Sequence, residues 1–86
     1  MPELCRFLGV IITMYFDDHN PPHFHAKYGS YKATFDIKTL GISDGCMPPK
    51  IHGLIVRWAS YHKEELLNNW ESCRNGEQPK KIRPLL

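Results

Sequence analysis

The chain has 86 residues, 42% of them hydrophobic, 23% charged and 12% aromatic. That length holds one small domain without room for a second core, so residues 1–86 read as a single unit, and the apolar share excludes a disordered chain. A net charge of +2 is too small to mark a nucleic-acid binder by itself, so any anion-binding role must rest on where the cations sit.

Phe7-Leu-Gly-Val-Ile-Ile-Thr-Met-Tyr-Phe16 is rich in β-branched and aromatic residues and predicts a central strand, apolar on both faces. It is about half the length that crosses a bilayer and lacks the basic start and cleavage site of a signal peptide. No membrane association is expected. Asp17-Asp-His-Asn-Pro-Pro22 cannot continue a strand and predicts a loop.

His23-Phe-His-Ala-Lys-Tyr28 and Tyr31-Lys-Ala-Thr-Phe-Asp-Ile37 flank Gly29-Ser30, a pair suited to a two-residue type II′ turn. That turn fixes a register: His23 opposite Asp36, Phe24 opposite Phe35, His25 opposite Thr34, Lys27 opposite Lys32. Side chains alternate along a strand. One face therefore collects Phe24, Ala26, Tyr28, Tyr31, Ala33, Phe35 and Ile37 for a core. The other presents His23, His25, Lys27, Lys32, Thr34, Asp36 and Lys38 outward.

Leu40 to Ser43 predicts a short further strand before the Asp44-Gly45 turn. Pro48-Pro49 suits the first turn of a helix, where a missing N–H costs nothing. From there Ile51, Leu54, Ile55, Trp58, Ala59, His62, Leu66 and Trp70 recur at three- and four-residue spacing. This predicts one long helix, closed by Asn75-Gly76. Residues 77–86 form a basic, proline-punctuated tail or edge segment, with Ile82, Leu85 and Leu86 as docking residues. The expected fold is α+β: a three- to four-stranded antiparallel sheet, one long C-terminal helix on one face, and a short tail.

Cys5, Cys46 and Cys73 are an odd number without ligand-like spacing. They read as reduced thiols of a cytoplasmic protein.

Three of the five histidines lie within seven residues, beside Asp17 and Asp18. His23 and His25 are two apart on a strand, so both rings project from one face about 6–7 Å apart. Imidazole exchanges its proton near neutral pH, which suits acid–base catalysis. Asp36, across from His23, is positioned to orient that ring. Lys27, Lys32 and Lys38 on the same face suit phosphate contacts, Tyr15 offers a ring for base stacking, and His19 is a further nucleic-acid-binding candidate. This set fits metal-independent cleavage of RNA, in which the substrate's own 2′-hydroxyl attacks; His23, His25 and Asp36 are the catalytic candidates. The plainer reading is a loop whose histidines satisfy nearby backbone beside an ordinary solvated sheet face. Metal binding through His23 and His25 with His19, Asp17 or Asp18 is a further reading. The loop lacks a standard zinc spacing, so no metal and no cofactor are expected.

Met1-Pro2-Glu3 with Arg6-Phe7, Asp18-His19-Asn20-Pro21-Pro22-His23-Phe24-His25, Trp58-Ala59, His62, Glu65-Leu66, Asn69-Trp70 and Lys81-Ile82-Pro84-Leu85 together resemble the bacterial domain of unknown function 4160. The resemblance covers nearly the whole chain and is most specific in the histidine segment. It implies a small protein encoded beside a second one, of the domain of unknown function 2442 family, in a toxin–antitoxin-type pair. The expected function is therefore a component of such a pair that binds or cleaves RNA through the His/Lys face. The alternatives are a non-catalytic protein-interaction or antitoxin-like regulatory module, and a small metal-binding protein.

Overall fold

The computed structural model describes residues 2–16 and 18–85; Met1, the carboxylate of Asp17 and the proposed docking residue Leu86 lie outside the described residues. Five strands, β1 (Glu3–Phe7), β2 (Val10–Thr13), β3 (His23–Tyr28), β4 (Tyr31–Asp36) and β5 (Ile42–Gly45), form one antiparallel sheet in chain order. Two helices follow, α1 (Pro49–Tyr61) and α2 (Lys63–Arg74). The expectation of three to four strands and one long helix is corrected on both counts.

The strand count differs because the apolar run Phe7–Phe16 hides a hairpin. Leu8 and Gly9 both take positive φ, +49 and +83, as a type I′ turn requires, and Phe7 pairs directly with Val10. Asparagine or aspartate is the usual mark at the first of those corners. Leucine instead disguises the turn as strand. The short strand expected at Leu40–Ser43 forms two residues later, as β5. Before it the Asp36 carboxylate accepts the N–H groups of Lys38 (2.7 Å) and Thr39 (2.9 Å), closing a tight turn. Gly45, at φ +80, lies so close to β4 that an added Cβ would collide with the Lys32 carbonyl.

The β3–β4 hairpin has the register that Gly29-Ser30 implies, pair for pair from His23–Asp36 to Tyr28–Tyr31. Gly29 supplies the positive φ, +58, at the first corner.

The helix divides at His62, whose φ of −124 leaves the helical region. Its ring bonds Glu65 at 2.6 Å, and its carbonyl accepts the Leu66 N–H, starting α2. Glu64 and Glu65 then sit in the first turn of α2, where the helix dipole favours negative charge. The apolar stripe continues in phase through the break, from Ile55, Trp58 and Ala59 to Leu66, Trp70 and Cys73. Periodicity alone therefore cannot reveal it.

Both helices cover one face of the sheet. Phe24 and Phe35 stack at 5.3 Å, with Trp58 edge-on to Phe24 at 5.9 Å and against Phe7 at 5.6 Å. Val10, Ile12, Met14, Ile37, Ile55 and Leu66 complete this core without exposure. The tail is tied down by polar contacts. Buried Asn69 donates to the Lys80 carbonyl and accepts the Lys80 N–H, both at 2.9 Å. Trp58 Nε1 donates to the Arg83 carbonyl at 2.8 Å, and the Ile82 N–H donates to the Leu4 carbonyl at 3.0 Å. Among the described residues, the opposite face of the sheet carries no helix.

Candidate functional site

The alternation of β3 places His23 and His25 on that second face, with ring centroids 5.2 Å apart. The two rings lie in different surroundings. His25 stands over the sheet, its ring 4.1 Å from that of Tyr15. His23 sits at the end of β3, under the proline loop and 4.9 Å from the Trp70 ring of α2. Only 8% of His23 is exposed, so it is wedged rather than outward-facing.

The carboxylate that meets these rings is Asp18. Its Oδ2 lies 2.8 Å from His23 Nε2 and 3.6 Å from His25 Nε2, while its Oδ1 accepts the His19 N–H at 2.9 Å. Asp36 is opposite His23 in the ladder, as the register requires, but its carboxylate is engaged in its own turn. Two prolines between Asp18 and His23 fold the loop back over the strand end. The loop's path, and with it the choice between carboxylates, has no periodic signal in sequence.

Both imidazoles are held through Nδ1. His23 Nδ1 donates to the Pro21 carbonyl at 2.7 Å, since a carbonyl can only accept. His25 Nδ1 lies 3.3 Å from the Thr34 hydroxyl. Both Nε2 atoms therefore turn toward Asp18. His25 Nε2 is buried without a hydrogen-bond partner.

Burial pushes the Asp18 carboxyl up, but the His19 N–H, the bond to and charge of His23, and the contact with His25 outweigh it. The net effect holds Asp18 below its ordinary value. Burial, and next the neighbouring His23 charge, push His25 down against the opposing pull of Asp18. At neutral pH a negative carboxylate thus faces a neutral His25 ring.

The cluster lines a cleft of about 370 Å³ with Tyr15, His19, Pro21, Thr34, Ser43 and Asp44. A second cleft of about 460 Å³ shares Tyr15, His25, Thr34 and Asp44 with it and adds Glu3, Ile11, Thr13, Lys27 and Lys32. The two form one trough across the open sheet face. It brings together the sequence candidates Tyr15, His19, His23, His25, Lys27 and Lys32. Asp36 does not line it.

Tyr15 is half-buried against His25, and His19 is the exposed member, its Nδ1 3.2 Å from Asp18. Ser43 and Asp44 of the trough wall escape sequence reasoning, because the position of β5 depends on an irregular turn. Thr34 was legible on the polar face but not as the anchor of His25.

Asp18, His23 and His25 each offer one metal-ligating atom, and the three atoms lie within 4.8 Å of one another. Among the described residues no helix is long and apolar enough to cross a membrane.

The sequence model of one family, domain of unknown function (DUF4160), matches residues 9–71. The match covers most of the chain and all of the Asp18–His23–His25 cluster, and the chain belongs to that family. No curated protein and no solved structure matches it.

Proposed function

We propose that the chain is the RNA-directed component of a bacterial toxin–antitoxin-type pair, binding RNA along the trough and cleaving it beside Asp18, His23 and His25. The observation that carries this reading is the pair Lys27 and Lys32. They face each other directly across β3 and β4, are exposed, and line the trough that holds the cluster. Like charges in directly opposed positions destabilise a sheet. A phosphate between them reverses the sign of that interaction. Glu3, also in the trough, is paired with Arg6 at 2.9 Å, and Asp44 stands on the far wall.

Lys27 is two residues from His25 on the same strand face, about 7 Å along the trough. A phosphate seated on the lysines therefore places the adjoining nucleotide at the cluster. The 2′-oxygen attacks phosphorus, the bond from phosphorus to the 5′-oxygen breaks, and a 2′,3′-cyclic phosphate and a 5′-hydroxyl result. The 2′-hydroxyl gives up its proton to a base at the cluster, and the departing oxygen gains one.

Ser43, Asp44 and Gly45 are exposed on β5, which stands at the edge of the sheet next to β4 among the described residues. That edge supports strand addition by the small partner protein. Three free cysteines support a reducing, cytoplasmic setting.

The test is expression of the chain alone and together with its encoded neighbour, with growth and RNA integrity read in parallel. The proposal expects arrest with RNA breakage, relieved by the neighbour and abolished by His25→Gln. Intact RNA throughout, with the His25 variant losing only partner affinity, would make the chain a non-catalytic interaction module.

A further inference from the structure

We infer that Asp18, His23 and His25 form a three-ligand site for a divalent transition-metal ion, with its remaining coordination positions open to the trough. The donors already converge. Asp18 Oδ2 is 2.8 Å from His23 Nε2 and 3.6 Å from His25 Nε2. Bonds of about 2.0–2.1 Å in a tetrahedral site put neighbouring donors about 3.3 Å apart, a value that these two separations bracket, and all three donor atoms lie within 4.8 Å of one another.

The outer contacts point the same way. A metal-binding histidine characteristically uses its other ring nitrogen on a carbonyl, carboxylate or hydroxyl partner, which fixes the ring and its tautomer. Here the Pro21 carbonyl holds His23 at Nδ1 and the Thr34 hydroxyl meets His25 at Nδ1. Asp18 is oriented likewise, its Oδ1 taken by the His19 N–H so that Oδ2 turns inward. Each ligand thus spends one polar atom on the scaffold and aims the other at a common point.

His25 Nε2 supplies an independent sign. It is buried without a hydrogen-bond partner in a cluster whose other polar atoms are satisfied. A buried nitrogen left unpaired costs free energy. An ion between it and Asp18 removes that cost.

Two imidazoles and one carboxylate select zinc, iron(II), cobalt or manganese over calcium and magnesium, which prefer all-oxygen sites. Three protein ligands with open positions are the pattern of catalytic rather than structural centres. In the proposed RNA reaction the ion would act as Lewis acid on the scissile phosphate and its bound hydroxide would be the base, the imidazoles serving as ligands. The site itself does not rest on that reading.

The test is titration of the chelator-treated, reduced full chain with Co²⁺ and then Zn²⁺ at neutral pH. The expected result is one Co²⁺ per chain, with visible bands of low coordination number, no thiolate charge-transfer band from Cys46, and displacement by Zn²⁺. Nitrogen-15 spectra of the unmutated protein should show Zn²⁺ shifting the Nε2 resonances of His23 and His25. His25→Gln should weaken binding more than about 100-fold, and Thr34→Val about 10-fold, as loss of an outer contact does. A folded chain that takes up no metal would overturn the inference, as would uptake that leaves both Nε2 resonances unmoved. RNA affinity of the same samples is scored separately, so metal uptake without RNA binding removes only the RNA reading.

Discussion

Replacing Phe35 by Ala should remove a large part of the protein's stability, and the expected size follows from its contacts. The ring is fully buried, stacked on Phe24 at 5.3 Å with an interplanar angle of 5°, and meets the edge of His52 at 5.5 Å. Removing a buried phenyl group costs about 3–5 kcal/mol in transfer and cavity terms together. A chain of 86 residues has a total stability of roughly 4–13 kcal/mol at usual densities. With a urea slope of about 1–1.5 kcal/mol/M for so small a domain, the midpoint should fall by about 2–5 M. Trp58 and Trp70 are both buried and give a fluorescence signal for the transition. Phe24 lies between His23 and His25 on β3, so a collapsing cavity behind it should also disorder the cluster. A loss below about 1.5 kcal/mol, with an unchanged slope, would refute this packing.

Asn69→Ala should release the tail at a cost of about 1–2 kcal/mol, because Lys80 loses both backbone partners; accelerated amide exchange at Lys80 and Ile82 checks it. Cys46 is exposed, while burial pushes the Cys5 and Cys73 thiols up. An alkylating agent should therefore modify Cys46 alone in the native protein, and mass spectrometry of the digest reads this. His25 is held down when folded, so the unfolded chain binds more protons just below its ordinary value of about 6.5. Stability should fall as pH drops through that region, and urea midpoints of His25→Gln should show less of the slope. Asp18, also held down, adds a second loss at pH values below the ordinary carboxylate range.

The register of the β3–β4 hairpin was legible pair by pair because two signals agree there, alternation on both strands and a Gly-Ser pair that sets the turn, but Tyr31, expected in the core, is exposed and His23, expected outward, is buried. The first hairpin was not legible, since Leu8 at φ +49 breaks no hydrophobic pattern. Nor was the helix break, because His62 interrupts the backbone without shifting the phase of the apolar stripe. At the site, the strand period identified which residues share the open face. It said nothing of Asp18, whose carboxylate reaches His23 only because Asn20-Pro21-Pro22 folds over the strand end. Loop geometry of that kind leaves no periodic mark in the sequence; here it is held by the bonds of His23 to the Pro21 carbonyl and to Asp18.

The most direct measurement is an amide chemical-shift map of the folded chain titrated with a short single-stranded RNA, at low and at moderate salt. The account predicts perturbations confined to the trough, strongest at Tyr15, His25, Lys27, Lys32 and Thr34, that weaken with salt. Each lysine removed should lower the salt slope by about 0.7. Perturbations restricted to α1 and α2, or none at RNA concentrations that saturate ordinary single-strand binders, would contradict it.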